Sequence, residues 1–354
     1  MPHPLIRKSE TIVLTKLKGL YILGPAVDMI YSADAQREIA EQVDIYAPKQ
    51  TRQSIKENPG LLQDAEVIFS SWGAPVLDRE FLAAAPNLRA LFYGAGATGG
   101  MIHSEAFERG IVVTSAAAMN GIPVAEYTVA SIIFALKQAF RFAREIKADG
   151  AYPRGKHSVA GGYGSTVGLV SLGAIGRAVC ERLKMMSVSL IAHDPFVSPE
   201  EASALGIELV GLEDVFTRAD VISLHTPWLP ETERLIRGAH IAAMKEGASL
   251  INTARGAVIA EDEMLEVLTK RQDLTAILDV TFPEPPPPGS PLYTLPNVFL
   301  TPHIAGSMDG ECQRMGQEMV AELGRWRRGE PLFWQVRPEA AEHTSHRIPA
   351  EKRP

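Results

Sequence analysis

Short runs of β-branched and aromatic residues recur along this chain of 354 residues, each followed by a segment of helical character. In the first third they occupy 19–23, 43–46, 67–70, 91–93 and 111–114. A second series begins at Val167 and continues through 189–193, 221–224, 249–252, 276–279 and 298–301. Strands that alternate with helices are joined by crossovers, and crossovers give parallel sheets covered by helices on both faces. Two series predict two doubly wound α/β domains, which the length also favours.

Between the series, 124–146 reads as one long helix, with Pro123 suited to its first turn and Asp149-Gly150 just past its end. A second helical stretch, about 309–327, is long enough to carry the chain back onto the first unit. The expected division is therefore 1–122 plus 310–336 for one domain and 123–309 for the other. Residues 337–354 form a polar tail expected to be mobile or to dock. Pro285 to Pro288 reads as a stiff loop.

Composition narrows the partners. With 35 Lys+Arg against 42 Asp+Glu the net charge is −7, and no basic block interrupts the body of the chain, so nucleic-acid binding is disfavoured. The apolar stretch 127–136 stops at Lys137, short of the roughly 20 residues that cross a bilayer, and no membrane span is expected. The opening residues 1–8 carry no apolar run, and only Cys180 and Cys312 could pair. The expectation is a cytoplasmic chain with both thiols reduced.

Two glycine loops compete for a dinucleotide. Gly94-Ala95-Gly96-Ala97-Thr98-Gly99 follows a strand, yet the next strand ends Val113-Thr114-Ser115 with no carboxylate for ribose hydroxyls. In the second loop, Ser171-Leu172-Gly173-Ala174-Ile175-Gly176, an apolar strand turns into a helix whose free N–H groups can hold a pyrophosphate. Its next strand ends at Asp194, 18 positions beyond Gly176, near the usual separation for the ribose carboxylate. Ser171 stands where the first glycine of the fingerprint belongs.

The downstream half resembles the D-isomer-specific 2-hydroxyacid dehydrogenase family. The resemblance runs through His225-Thr226-Pro227-Trp228-Leu229-Pro230-Glu231-Thr232, Met244 to Gly256, Leu278-Asp279-Val280, Glu284-Pro285 and Pro296 to Gly306. Upstream, Gly94-Ala95-Gly96 and Val124-Ala125-Glu126-Tyr127 look like the family's substrate loop and domain-crossing helix, so roughly 65–335 is covered. The resemblance implies a flavodoxin-like substrate domain, a Rossmann NAD-binding domain and a cleft between them.

It also implies a catalytic set of Arg255, Glu284 and His303. Imidazole titrates near neutrality and suits the proton transfer at the hydroxyl, a neighbouring carboxylate favours its protonated form, and a guanidinium matches the substrate carboxylate. NAD would be held by Gly173, Ala174, Ile175, Gly176, Asp194, His225, Thr226, Pro227, Thr253, Ala254, Arg255, Asp279, His303, Ala305 and Gly306. Backbone N–H groups of Gly94, Ala95 and Gly96 would hold the substrate carboxylate beside Arg255. Trp72 follows the strand 67–70 and either approaches the substrate, as expected of a strand end, or packs under the loop as core. No Arg or Lys lies between Asp64 and Asp78 to clamp a phosphate, although Arg52 or Arg79 could supply charge once the fold closes.

The expected function is hydride transfer between NAD(H) and a small, non-phosphorylated 2-hydroxy or 2-keto acid, in a homodimer. A phosphoglycerate dehydrogenase is the alternative within the family, and an NAD(H)-dependent corepressor is the alternative from another class. Formate dehydrogenases fit less well, because Glu284 holds a carboxylate where that branch carries an amide. His3, His343 and His346 lie in polar termini, His103, His157, His193 and His240 have no acidic or cysteine partners at ligand spacing, and no metal is expected.

Overall fold

The computed structural model describes residues 15–24, 27–153 and 159–338. Strands β1 (Leu17–Ile22), β2 (Val43–Ile45), β3 (Val67–Ser70), β4 (Ala90–Tyr93) and β5 (Val112–Ser115) form a parallel sheet in the order β2-β1-β3-β4-β5, which is the flavodoxin-like arrangement. A second parallel sheet contains β6 (Thr166–Val170), β7 (Ser189–His193), β8 (Glu208–Leu209), β9 (Val221–Leu224), β10 (Ser249–Asn252), β11 (Thr275–Leu278) and β12 (Val298–Leu300). Its order is β12-β11-β10-β9-β6-β7-β8, the Rossmann arrangement, and the direction of winding reverses between β6 and β9. Strand β8, only two residues long, is too short to show a pattern in the sequence.

Helices cover both faces of each sheet, and β3, β4, β9, β10 and β11 are buried at every position. That double burial is why these strands read as unbroken apolar runs rather than alternating ones. In the first domain, Phe69 on β3 and Phe92 on β4 stack at 5.4 Å beneath the C-terminal helix, whose Met315, Met319 and Leu323 are fully buried.

The connection between domains departs from the single helix expected at 124–146. The crossover helix spans Ala117–Leu136, and a separate arm helix follows at Ala139–Asp149. Small residues Ala117 and Ala118 let the first helix start earlier, so Pro123 lies inside it rather than in its first turn. The break falls at Gln138, whose φ of 49° is left-handed, and the N–H of Gly161 takes the Leu136 carbonyl that the break releases. At twenty residues the crossover helix is long and apolar enough by composition to cross a membrane. Here Ile132, Ala135 and Leu136 instead pack against the second sheet, and Gly121 lies close against Ile175.

The return helix spans Gly310–Arg328 and closes the first domain from the other end of the chain. Gly316 sits so near the Ile30 carbonyl that a Cβ would collide with it. After this helix the chain pairs antiparallel with β5: Ser115 N–H donates to the Trp334 carbonyl at 3.0 Å and Val336 N–H to Val113 at 2.8 Å. An otherwise open sheet edge is thus covered. The expected tail lies outside the described residues apart from Arg337 and Pro338.

Strand β6 turns into the fingerprint helix, Ala174–Leu183, through Ser171. Its φ of 77° is left-handed, which is the conformation the missing glycine would adopt without strain. The hydroxyl is hydrogen-bonded to the Thr226 hydroxyl at 3.1 Å, tying this turn to the end of β9. Left-handed backbone costs a non-glycine residue on the order of 1 kcal/mol, comparable to one net hydrogen bond. Ser171→Gly loses the bond but sheds the strain, whereas Ser171→Ala loses the bond and keeps it. We expect Ser171→Gly to be the more stable variant by about 1 kcal/mol in urea unfolding, against the usual Ala-over-Gly order. The opposite ranking would contradict the left-handed turn.

Candidate active site

Each chemistry-bearing segment follows the carboxyl end of a strand. At the β6 turn the fingerprint helix has no side-chain cap, and Gly173 at its N-cap opens on space with no atom near where a Cβ would stand. Four backbone N–H groups at a helix start have no partner within the helix. An uncapped, open start of this kind accepts phosphate oxygens. A Cβ at Gly176 would collide with the Ser171 carbonyl, so the last fingerprint glycine permits the tight strand–helix turn.

Asp194 follows β7. Its carboxylate accepts the Leu172 N–H at 2.7 Å and the Phe196 N–H at 2.8 Å, leaving lone pairs for further donors such as ribose hydroxyls. Arg177 reaches the same turn but is engaged by the Leu172 carbonyl at 2.8 Å and Glu201 at 3.5 Å. His225, at the end of β9, donates its backbone N–H to Val170. Burial pushes its imidazole pKa down to about 4, so it is neutral at neutral pH, and among the described residues its buried Nε2 has no hydrogen-bond partner. The residues present fit a dinucleotide.

Arg255 follows β10 on a turn built by Asn252, whose side chain accepts from Ala254 N–H and donates to the Arg255 carbonyl. The chain passes Thr281 immediately afterwards, where a Cβ on Gly256 would collide with the Thr281 backbone. Burial lowers the guanidinium pKa and the Glu284 charge opposes that shift; the group remains a cation.

Glu284 Oε1 lies 2.7 Å from His303 Nδ1. Burial pushes the Glu284 carboxyl up, but the hydrogen bond and charge of His303, the Thr281 backbone and Arg255 together bring it below its ordinary value. The carboxylate is therefore ionised at neutral pH and faces the imidazole. His303 itself has a left-handed φ of 57°. Its loop is pinned by Asp279, whose carboxylate accepts Thr301 Oγ1 at 2.7 Å, Ile304 N–H at 2.8 Å and Ala305 N–H at 2.9 Å. The resemblance places Asp279 at the cofactor; in this structure three donors from its own domain engage it.

The substrate loop differs from the expectation in one respect. Gly94 N–H donates to Ser70 and Ala95 N–H to Tyr93, both at 2.8 Å, so two of the three expected donors are spent inside the turn. Among the described residues the Gly96 N–H has no such partner. The turn forces this: Gly94 is crowded by Ile30 and Tyr31, and Ser71 Oγ donates to its carbonyl. Trp72 follows β3 and is 39% exposed, so it is not core. Arg52 donates twice to the Ala74 carbonyl of the Trp72 loop, and Arg79 pairs with Glu105 at the surface.

Three polar side chains on the crossover helix escaped the sequence reading, because a long apolar helix draws attention to its core face. Asn120 Oδ1 accepts the Ser307 N–H at 3.0 Å, Tyr127 OH meets Thr301 Oγ1 at 3.0 Å, and Thr128 Oγ1 meets Thr253 Oγ1 at 3.1 Å. The useful signal was their polarity on a buried helix.

Residues 129–305 match the family described as D-isomer specific 2-hydroxyacid dehydrogenase, NAD binding domain. A D-3-phosphoglycerate dehydrogenase from Archaeoglobus fulgidus is 31% identical over 84% of this chain and 56% of its own length. Its counterpart from Methanocaldococcus jannaschii is 34% identical over 74% of this chain and 49% of its own. The chain thus spans about half the length of the curated relatives it matches. Among solved structures, a glyoxylate reductase from Paecilomyes thermophila is 27% identical, covers 92% of this chain and 99% of its own, and superposes with a TM-score of 0.73. The strand orders, the fingerprint turn and the family match over half the chain agree with one another: the chain belongs to the D-isomer specific 2-hydroxyacid dehydrogenase family.

Proposed function

We propose that this protein is an NAD-dependent oxidoreductase acting on a small, non-phosphorylated 2-hydroxy or 2-keto acid. The observation that carries the reading is the Glu284–His303 pair at 2.7 Å, at the end of the sheet that also presents the open fingerprint helix and Asp194. Gly173 to Gly176 would hold the pyrophosphate, Asp194 the adenosine ribose, and the end of β9 at His225, Thr226 and Pro227 the remainder of NAD. Bound NAD supplies the hydride donor or acceptor.

The side chains supply the rest. Arg255 and the Gly96 N–H would grip the substrate carboxylate, and Arg255 also polarises the 2-oxo oxygen. His303 gives a proton to that oxygen as the carbon is reduced and takes it back in the reverse direction. Glu284 favours the imidazolium and fixes which ring nitrogen faces the substrate. A corepressor with the same fold would keep these residues without turnover, so turnover is the discriminating property.

The loop after β3 favours a non-phosphorylated substrate. It carries Trp72 and no cation, and Arg52 and Arg79 have the partners described above. Purified protein tested with NADH and NADPH against glyoxylate, hydroxypyruvate, pyruvate, phenylpyruvate, 2-ketoisocaproate and phosphohydroxypyruvate should prefer NADH, since Asp194 accepts ribose hydroxyls but repels a 2′-phosphate. Phosphohydroxypyruvate ranking first by kcat/KM would overturn the argument from the loop; equal or better kcat/KM with NADPH would overturn that from Asp194.

The acid–base pair makes a separate prediction. His303→Ala should lower the rate of keto-acid reduction on the order of a hundredfold or more, while NADH binding measured by fluorescence stays near the parent. For Glu284→Gln the sign follows from the charge. Reduction needs the imidazolium, and the ionised Glu284 carboxylate favours that form over the neutral imidazole. Activity should fall more at high pH than at low pH, moving the alkaline limb of the pH profile downward. A profile that overlays the parent's removes Glu284 from the mechanism.

We also propose a homodimer built on the arm helix. That helix has no buried residue, and Phe134, Phe140 and Phe299 form an aromatic cluster, with Phe134 and Phe299 exposed. A second copy of the chain would cover it, and light scattering of Phe134→Asp should then report monomers where the parent is dimeric. A cytoplasmic setting is proposed with it, both cysteines being buried and unpaired.

A further inference from the structure

We propose that one face of the crossover helix is a splint that sets the catalytic loops, with Asn120 and Tyr127 as positioning residues for His303. The proposal rests on the dehydrogenase reading and adds two residues to it. Seven positions separate the two, which is two helical turns, so both project from the same face. Their contacts fall on Ser307 and Thr301, on either side of His303.

Asn120 joins two loops that belong to different domains. Its Oδ1 accepts the Ser307 N–H at 3.0 Å, and its carboxamide lies between two glycines. A Cβ at Gly96 would come within 3.4 Å of Nδ2, and a Cβ at Gly306 within 3.2 Å of Oδ1. Both loops therefore approach this side chain through bare backbone. One offers the Gly96 N–H to the substrate, and the other carries His303. Any shift of Asn120 moves the two reacting sides relative to each other.

Tyr127 acts on the other flank. Thr301 has one hydroxyl proton and donates it to Asp279 Oδ1 at 2.7 Å, so at 3.0 Å from Tyr127 it must accept the phenol proton. The resulting chain runs Tyr127 to Thr301 to Asp279, and Asp279 holds the Ile304 and Ala305 N–H groups beside His303. Burial raises the Tyr127 pKa, so the phenol stays a donor through the neutral range. The next residue, Thr128, holds Thr253 at 3.1 Å, two positions before Arg255, so the same helix also steadies the guanidinium turn.

The splint predicts a loss in kcat rather than in cofactor affinity, because misplacing a reacting group by about 1 Å costs up to a hundredfold. Tyr127→Phe removes one hydroxyl without changing the ring and should lower kcat about fivefold, with NADH affinity within about twofold and the melting temperature little changed. Asn120→Ala should lower kcat roughly tenfold and also raise the keto-acid KM, since Asn120 backs the Gly96 loop. These are measured beside His303→Ala and the parent. If both variants keep the parental kcat, whether or not the melting temperature falls, the proposal is overturned while the loss in His303→Ala preserves the dehydrogenase reading. A fall in only one variant removes the other residue from the splint. No turnover by the parent with any keto acid overturns the dehydrogenase reading and the proposal with it.

Discussion

A buried carboxylate is expensive unless its lone pairs are met, and Asp279, 2% exposed, is met by three donors drawn from one short loop. Satisfying it folds residues 301–305 back over the end of β11 and leaves His303 in left-handed backbone. That conformation costs on the order of 1 kcal/mol, while each hydrogen bond to a charged acceptor returns about 1.5–3 kcal/mol. The balance favours the strained loop by a wide margin. The position of His303 against Glu284, and with it the proposed chemistry, follows from how this one carboxylate is satisfied.

The same logic appears at the fingerprint turn. Ser171 also takes a left-handed conformation at the carboxyl end of a strand, and Asp194 fixes the following residue through the Leu172 N–H. Two non-glycine residues with positive φ thus follow the carboxyl ends of strands of one sheet, each beside a carboxylate that holds its turn. Strain of this kind persists only where the surroundings over-determine it, and it concentrates at sites that bind or react. The crossover helix then connects the two turns: Gly121 lies against Ile175 of the fingerprint helix, while Asn120 and Tyr127 reach the His303 loop.

Much of this was legible in the residues. Short β-branched and aromatic runs mark eleven of the twelve described strands, and the five buried at every position read as near-continuous apolar runs; β8, two residues long, has no room for a pattern. Asp194 favours Ser171–Gly176 over Gly94–Gly99, and the structure shows why the latter loop carries Gly94 and Gly96: Gly94 is hemmed in by Ile30 and Tyr31, and Gly96 by Asn120. Other features depend on distant partners. The break at Gln138 carries no Gly or Pro signal, and the Leu136 carbonyl it exposes is satisfied by Gly161, 25 residues away. That Gly94 and Ala95 spend their N–H groups internally depends on Ser70 of a neighbouring strand. The contacts of Asn120 with Ser307 span 187 positions, beyond any local pattern.

On the proposed function, a nicotinamide and the 2-carbon of a keto acid meet beside His303, and hydride passes directly between them. Supplying NADH deuterated at carbon 4 on each face in turn, with the best keto acid, and locating the label in the product by mass spectrometry and NMR tests this transfer. Deuterium is expected on carbon 2 of the hydroxy acid from one of the two faces only, and to appear on the order of a hundredfold more slowly with His303→Ala. Product carrying no label from either face, or binding of NADH with no hydroxy acid formed from any keto acid, would contradict it.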